Sequence, residues 1–317
     1  MAIHHLLPSR RTLHGAFSPD LPPVLRIAPG DTVIVRTLDS GWTVRGFDDL
    51  GLLGDPDRAV FVDRDPVRDG GHALCGPIWV AGAEPGKVLE VRIGAIEPGD
   101  YGWNFGSTRP NGINEHLHLD GERLRVEWAI DAAARTATST FGHRVRIAPF
   151  FGVMGMPPAE PGFHPTAPPR PTGGNIDCKE LVAGTALFLP IAVPGGLFSV
   201  GDGHARQGDG EVSTTAIECP VRSGTLTFHL RDDLPIATPI AWTPEAWIAF
   251  GFHTDLDEAA LIALNAMLDL MQRQFGLERK VALSLASAVV DLRVTQMVNG
   301  VRGVHALLRH DAFETIR

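Results

Sequence analysis

The segment Asp31-Thr32-Val33-Ile34-Val35-Arg36-Thr37 decides the fold class, because apolar and polar side chains alternate along it. Alternation with a period of two is typical of a strand that buries one face. Val88-Leu89-Glu90-Val91-Arg92-Ile93 has a similar pattern, and turn residues such as Pro29-Gly30 precede both segments. Further short apolar runs occupy residues 185–193 and 224–230. Many short strands between turns predict a mainly β fold with a β-sandwich-like body.

The pattern changes to helical spacing after about residue 254. Apolar side chains recur every three or four positions over residues 257–275, with Thr254 or Asp255 as the N-cap and Gly276 as the stop. A second helix and two strands are expected over residues 278–290, 293–298 and 301–308. We therefore predict one domain over residues 1–317, with a β-rich body (about 1–253) and a C-terminal α+β segment (about 254–317). The proline-rich residues 157–171 are expected to form a long loop.

Composition and charge exclude several classes of function. The 317-residue chain has a formal net charge of −9, whereas a nucleic-acid surface needs a basic face. No apolar run approaches the roughly 20 residues of a membrane span, and we see no secretory signal. Three cysteines, an odd number, argue against a disulfide framework. We therefore expect a cytoplasmic protein without nucleic-acid or membrane partners.

The chemistry is concentrated in Gly201-Asp202-Gly203-His204-Ala205-Arg206-Gln207-Gly208-Asp209-Gly210-Glu211. Asp202 and His204 are two residues apart, so in an extended segment both side chains point to one face and make half of a metal site. Gln207 can hydrogen-bond an amide, and Glu211 is a candidate general base. Asp209 is a weaker candidate, because Gly-Asp-Gly is also a common turn. The alternative is a solvated, acidic, turn-rich loop.

Two further loops carry candidate ligands. Gly173-Gly174-Asn175-Ile176-Asp177-Cys178-Lys179 offers Asp177 either as a ligand or as a turn cap, and Lys179 either to neutralise carboxylates or to bind substrate. His72 emerges from the turn Asp69-Gly70-Gly71 into a strand. Cys75 lies beside a Gly-Pro bend with no basic neighbour, so we interpret it as structural. His305 is interpreted as a satisfied buried histidine.

Together these motifs resemble the acetamidase/formamidase family. The resemblance covers most of the chain, and its most specific parts are the segments 173–177 and 199–211, with Pro149-Phe150-Phe151-Gly152-Val153-Met154-Gly155 and Gly303-Val304-His305 in support. It implies a β-rich homo-oligomer that binds a divalent metal and hydrolyses a small carboxamide to carboxylate and ammonia. The metal ligands implied by motif match are His72, Asp177, Asp202 and His204. Gln207 and Glu211 are assigned to catalysis, and Asn175 and Lys179 to the substrate.

Zinc is the expected metal, with calcium or another divalent ion as the alternative. Cys75 and Cys178 stand where relatives commonly have threonine, so support of the ligands and substrate size are expected to differ. Three other hypotheses remain open. The first is a lactam or carbamoyl compound as the substrate, the second is covalent catalysis by Cys75 or Cys178, and the third is a non-catalytic protein that binds a metal or a small amide.

Overall fold

The computed structural model describes residues 1–52, 54, 59–106, 112–119 and 121–314, and most of its regular structure is β. The first eleven strands are β1 (Ile3–Leu6), β2 (Leu13–His14), β3 (Ala16–Phe17), β4 (Leu25–Ile27), β5 (Thr32–Thr37), β6 (Leu74–Val80), β7 (Val88–Pro98), β8 (Tyr101–Gly106), β9 (Leu124–Asp131), β10 (Thr136–Ser139) and β11 (Arg144–Arg146). The others are β12 (Phe150–Gly155), β13 (His164–Pro165), β14 (Gly173–Asn175), β15 (Thr185–Pro190), β16 (Phe198–Arg206), β17 (Ile217–Glu218), β18 (Val221–Arg231), β19 (Ile240–Trp242), β20 (Ala246–His253), β21 (Val290–Gln296) and β22 (Arg302–Arg309). The helices are α1 (Gly112–His116), α2 (Leu256–Phe275) and α3 (Arg279–Val289), with a 3₁₀ turn at Asp48–Leu50.

Within the described ranges these strands form two large sheets and one small one. The first sheet has nine strands in the order β1-β5-β18-β7-β15-β19-β20-β22-β21. The second has eleven strands. Its main path is β11-β10-β9-β8-β17-β16-β12-β14, and β6 joins it by pairing with β16, β2 and β4. β3 and β13 form a two-stranded sheet, which ties the middle of the proline-rich loop to the N-terminal segment.

The two large sheets pack face to face around one apolar core. Val33 and Val35 of β5 are fully buried, while Thr32, Ile34 and Arg36 on the other face are half-buried, as expected of a strand that buries one face. Phe228 of β18 meets Phe198 of β16 across the interface, with ring centroids 5.2 Å apart in an edge-to-face arrangement. Truncating either ring to alanine is expected to cost roughly 3–5 kcal/mol of stability. The prediction of a sandwich-like β body is confirmed.

The C-terminal α+β segment is continuous with the first sheet. α2 begins at Asp255, whose carboxylate accepts from the backbone N–H groups of Asp257 and Glu258 at 2.9 and 3.1 Å. It ends at Gly276, whose φ of 65° is left-handed. The helix packs on β20 so closely that a Cβ at Gly251 would lie 2.0 Å from the carbonyl oxygen of Ala259. The C-terminal α+β segment is thereby confirmed, and the single-domain organisation stays a prediction. No helix in the described part of the chain is long and apolar enough to span a membrane.

Candidate metal-dependent active site

Asp202 and His204 lie in the middle of β16 with their side chains on one face of the second sheet. Both are buried, and Nε2 of His204 lies 3.4 Å from Oδ1 of Asp202. The ring of His204 packs edge-on against Phe150 of β12, with centroids 5.0 Å apart. Asp202 has a φ of 57°, a left-handed conformation that is strained for a residue with a side chain. The strand therefore holds the two groups in one fixed orientation.

Asp177 approaches the same imidazole from the loop after β14. Its Oδ1 lies 4.0 Å from Nδ1 of His204, and its Oδ2 accepts from Nδ2 of Asn299 at 2.8 Å. Gln207 joins the two residues: its Nε2 donates to the backbone oxygen of Asp177 at 2.6 Å, and its Oε1 lies 3.1 Å from Nδ1 of His204. Because Oε1 can only accept, Nδ1 of His204 carries the hydrogen and Nε2 faces the carboxylates.

Two glutamates complete the cluster. Glu211, six per cent exposed, can place a carboxylate oxygen within 4.8 Å of ligand atoms of Asp177 and His204. Glu218 of β17 lies on the other side of the ring, with Oε1 3.3 Å from Nε2 of His204. Sequence reasoning missed Glu218. The only signal for it was a charged residue inside the apolar stretch Ala216-Ile217-Glu218-Cys219.

Gly152 of β12 forms the floor of this cluster. A Cβ at this position would lie 2.5 Å from Oδ2 of Asp202, 2.6 Å from Oδ1 of Asp177 and 2.7 Å from Cε1 of His204. The three side chains therefore converge on the space that any other residue would fill. We call this space the Gly152 cradle. A glycine inside a strand is a known sign of close approach by another group, and the sequence resemblance had included this residue without a role.

The electrostatics of the cluster are dominated by burial. Burial raises the pKa of Asp177, of Glu211 and of Glu218, each also affected by the neighbouring carboxylates. Burial also disfavours the charge of His204, but Glu218 and Asp202 outweigh it and raise the pKa of His204 well above its usual range. For Asp202 burial is outweighed by His204 and His72, which lower its pKa. One imidazole does not compensate four buried carboxyl groups.

A divalent cation fits this donor set. Three buried atoms of this cluster make no hydrogen bond, namely Oδ1 of Asp177, Nε2 of His204 and Oε2 of Glu211. Buried polar atoms are seldom left without a partner. They belong to two groups of ligand atoms that each lie within 4.8 Å of one another and share His204: Asp177, His204 and Glu211, and Asp202, His204 and Glu218. Carboxylate oxygens suit calcium and magnesium, and the imidazole suits zinc, so the donor chemistry alone does not select the element.

The other predicted site residues lie around this cluster. His72 belongs to neither group of ligand atoms. Its Nδ1 lies 2.8 Å from Oγ1 of Thr166, and the residue lines a cavity of about 700 Å³. Asn175 is buried and donates to the carbonyl oxygen of Ala167 at 3.0 Å, while its Oδ1 has no partner. Lys179 pairs with Asp209 at 2.9 Å, so its charge is compensated away from the four carboxylates. All these role assignments stay predictions.

The three cysteines are free, buried and unsuited to nucleophilic attack. Burial raises the pKa of Cys75 to about 12 and raises those of Cys178 and Cys219 as well. The thiol of Cys75 donates to the carbonyl oxygen of Arg36 at 3.2 Å. The interpretation of Cys75 as structural agrees with this environment.

Comparison with known proteins identifies the class of protein. A model of the Acetamidase/Formamidase family matches residues 4–164 and 161–314. The formamidase of Methylophilus methylotrophus is 29% identical over 303 residues, covering 75% of this chain and 71% of that protein. The acetamidase of Mycolicibacterium smegmatis is 26% identical over 257 residues, covering 63% of this chain and 61% of that protein. The crystal structure of acetamidase from Yersinia enterocolitica superposes with a TM-score of 0.82 at 26% identity, covering 98% of this chain and 93% of that one.

These similarities place the protein among the amidases, the hydrolases that cleave carbon–nitrogen bonds outside peptides. The chain belongs to the acetamidase/formamidase family.

Proposed function

We propose that the protein hydrolyses a small carboxamide to the carboxylate and ammonia at the Gly152 cradle, with the help of a divalent cation. The observation that carries this proposal is the convergence of Asp177, Asp202 and His204 on the space above Gly152. Burial of so many acidic groups around one imidazole is costly unless a cation compensates their charge. Family membership supports amide hydrolysis as the reaction.

The residues that would hold the cation are Asp177, Asp202 and His204, with Glu211 and Glu218 at the edges of the cradle. When bound, a divalent cation supplies Lewis-acid chemistry: it polarises a carbonyl group and makes water more acidic. We propose zinc, because an imidazole nitrogen is among the donors, and calcium is the alternative that the oxygen-rich set favours.

In this proposal Glu211 moves the proton. Its Oε2 is buried and has no hydrogen-bond partner, and a bound cation would favour the ionised carboxylate, which can then accept a proton from the attacking water. The same carboxyl group then donates that proton to the nitrogen that leaves as ammonia. Without this transfer the amide nitrogen would have to leave as an anion.

Gln207 and Asn175 have supporting roles in the proposal. Gln207 fixes the His204 ring through Nδ1, and such bonds to the second nitrogen of a ligand histidine orient the ring. Asn175 has a free buried Oδ1 that can accept from the NH₂ group of a carboxamide. Lys179 pairs with Asp209, and its contact with the substrate stays a prediction.

We propose that substrate approaches the cradle through the cavity beside His72, because Ser40 lines this cavity and hydrogen-bonds Glu218 of the cluster. The cavity is lined by Trp103, Phe105 and Thr166, among others, and its volume of about 700 Å³ exceeds the need of formamide. The space admits a larger acyl group or a ring. A lactam or a carbamoyl compound is therefore the alternative substrate.

The decisive experiment measures ammonia release from formamide and acetamide, and ring opening of a simple lactam. The protein is stripped with a chelator and then reloaded with zinc or calcium. We expect hydrolysis to vanish on stripping and to return with one of the two ions. Asp202→Asn is expected to abolish it, whereas Asp209→Asn, an aspartate outside the cluster, is the matched control. Full activity without any metal would contradict the proposal, and metal binding without turnover would favour a non-catalytic binding protein.

We further propose that the enzyme is a cytoplasmic homo-oligomer. The three free, buried thiols support a reducing compartment. Exposed apolar side chains at Leu117, Val212 and Met297 line one surface groove and support a contact between copies. Light scattering of the purified protein tests the assembly.

A further inference from the structure

A second cluster of ligand-type side chains lies outside the Gly152 cradle. Cys178, Glu180 and His305 each offer one atom, and these atoms all lie within 4.8 Å of one another. We call these three residues the thiol cluster. Cys178 and Glu180 come from the loop after β14, whereas His305 comes from β22 of the first sheet. The thiol cluster therefore lies where that loop meets the C-terminal segment.

His305 points an unused nitrogen into the thiol cluster. The residue is fully buried, its Nδ1 lies 2.8 Å from Oγ1 of Thr295, and its Nε2 has no hydrogen-bond partner. Nε2 lies 3.8 Å from Oε2 of Glu180. In the tautomer in which Nδ1–H donates to the Thr295 hydroxyl, Nε2 presents its lone pair, which is the arrangement of a metal ligand. The sequence interpretation of a satisfied histidine is wrong for this nitrogen.

Glu180 is held with one oxygen directed toward Cys178 and His305. Arg293 donates through Nη1 to Oε1 of Glu180 at 2.8 Å. The other oxygen, Oε2, accepts from the thiol of Cys178 at 3.2 Å. Arg293 also pairs with Asp209, so its charge is shared between two carboxylates. Oε2 is thus oriented between Sγ of Cys178 and Nε2 of His305.

The distances between the ligand atoms of the thiol cluster suit an ion with tetrahedral coordination. Zinc bonds are about 2.3 Å to sulfur and about 2.0–2.2 Å to nitrogen or oxygen, which at tetrahedral angles separates ligand atoms by about 3.3–3.7 Å. The distances from Oε2 of Glu180, 3.2 Å to sulfur and 3.8 Å to nitrogen, bracket this range. A thiol, an imidazole and a carboxylate are the donors that borderline divalent metals such as zinc bind.

We propose that Cys178, Glu180 and His305 bind a zinc-class divalent cation, separate from the Gly152 cradle, that joins the loop after β14 to β22. Binding exchanges one proton for the metal: the S–H bond of Cys178 breaks, a sulfur–metal bond forms, and the proton goes to solvent. The ion ties the loop that carries Asp177 to the first sheet. The proposal does not depend on amide hydrolysis.

Cobalt tests the thiol cluster directly, because a thiolate bound to Co²⁺ gives a charge-transfer absorption that oxygen and nitrogen ligands do not. The full-length protein is stripped with a chelator and titrated with Co²⁺. We expect a thiolate-to-cobalt band whose final intensity corresponds to one thiolate-bound ion per chain, whether or not a second cobalt ion fills the Gly152 cradle. Cys178→Ser and His305→Gln should lose or displace this band, while Cys75→Ser and Cys219→Ser should keep it. Cys219 is the sharper control, because it follows Glu218 of the first cluster.

Further variants separate this proposal from misfolding and from the proposed function. Cys178→Thr keeps a hydroxyl in place of the thiol, and circular dichroism must show it folded while the band is absent. Asp202→Asn should abolish hydrolysis yet leave the band unchanged. Cobalt binding without a thiolate band, a band that survives in Cys178→Ser, or a band lost only in Cys219→Ser would each overturn the proposal.

Discussion

Nε2 of His204 lies 3.3 Å from Oε1 of Glu218, although fourteen positions of chain separate the two residues. The pairing of β16 with β17 sets this distance, because His204 and Glu218 are direct partners in the ladder. Two further hydrogen bonds orient the carboxylate of Glu218. Oγ of Ser40 donates to Oε2 at 2.7 Å, and the backbone N–H of Ala216 donates to Oε1 at 3.0 Å. A buried carboxyl group that is hydrogen-bonded at both oxygens supports a role for Glu218 at the proposed cation site.

Glu218→Gln is expected to weaken cation binding on the order of 100-fold or more. The amide keeps the volume of the side chain but removes a negative charge from the proposed cation site. Mutation of residues that only hydrogen-bond to metal ligands already lowers metal affinity about 10–100-fold. Competition against a chelating dye measures the affinity. The control is Glu90→Gln, a buried glutamate of β7 that pairs with Arg92 and Arg231 instead. Wild-type affinity in Glu218→Gln would remove this residue from the site.

Gly152→Ala is expected to abolish cation binding and hydrolysis together. The added methyl group would lie within 2.5–2.7 Å of Asp202, Asp177 and His204, so it occupies the cradle itself. Overpacking of this kind costs about 1–3 kcal/mol of stability, which a thermal melt will show. Gly208→Ala is the matched control in the same region, because a Cβ there meets nothing within 4 Å. If Gly152→Ala folds and still turns over amide with bound metal, the cradle is not the active site.

The sequence predicts α2 better than the cradle, because the signals for the helix are local and the contacts of the cradle are not. The cap at Asp255 and the stop at Gly276 depend on residues a few positions away, so the helix was predicted to within one residue. The alternation in β5 was equally local. The structure also brings together Asp177, Asp202 and His204 as one group, although their roles remain proposals.

The sequence does not predict that Glu218 and Gly152 belong to the site, and the reason is physical. Their positions in the site follow from the register of β16 with β17 and with β12, which are contacts between strands distant in sequence. Neither residue belongs to a spacing pattern that chemistry alone would select. Lys179 is two residues from Asp177 in the chain and its amine pairs with Asp209, while its contact with the substrate stays a prediction.

Covalent catalysis by a thiol predicts a different outcome from metal-assisted hydrolysis. With a pKa of about 12, Cys75 is a thiolate in on the order of one molecule in 100,000 at pH 7. We therefore expect Cys75→Ala to release ammonia at the wild-type rate, after correction for the folded fraction. Treatment of the native enzyme with an alkylating reagent at neutral pH should likewise leave turnover intact. Loss of turnover in a folded Cys75→Ala protein would restore the thiol mechanism.

Stability is expected to fall in acid because of His14. This residue of β2 is two per cent exposed, with Nδ1 2.7 Å from the carbonyl oxygen of Ala16 and Nε2 3.0 Å from Oγ of Ser199. Burial lowers the pKa of His14 to about 4, against the weaker opposing effects of Ala16 and Asp69. Between pH 6.5 and 4 the unfolded chain therefore binds a proton that the native protein does not, so stability falls as the pH is lowered through this window. The loss from this group is about 3 kcal/mol by pH 4.

Denaturant unfolding of the wild type and of His14→Gln between pH 7 and pH 4 tests this assignment. The variant loses hydrogen bonds and will be less stable at pH 7, so the slope of the unfolding free energy against pH is the informative quantity. We expect His14→Gln to have the smaller slope, by close to one proton per chain in the middle of the window. His143→Gln removes an exposed histidine and should leave the slope unchanged. Equal slopes in all three proteins would show that the pKa of His14 is the same in the native and unfolded states, which the burial of this residue argues against.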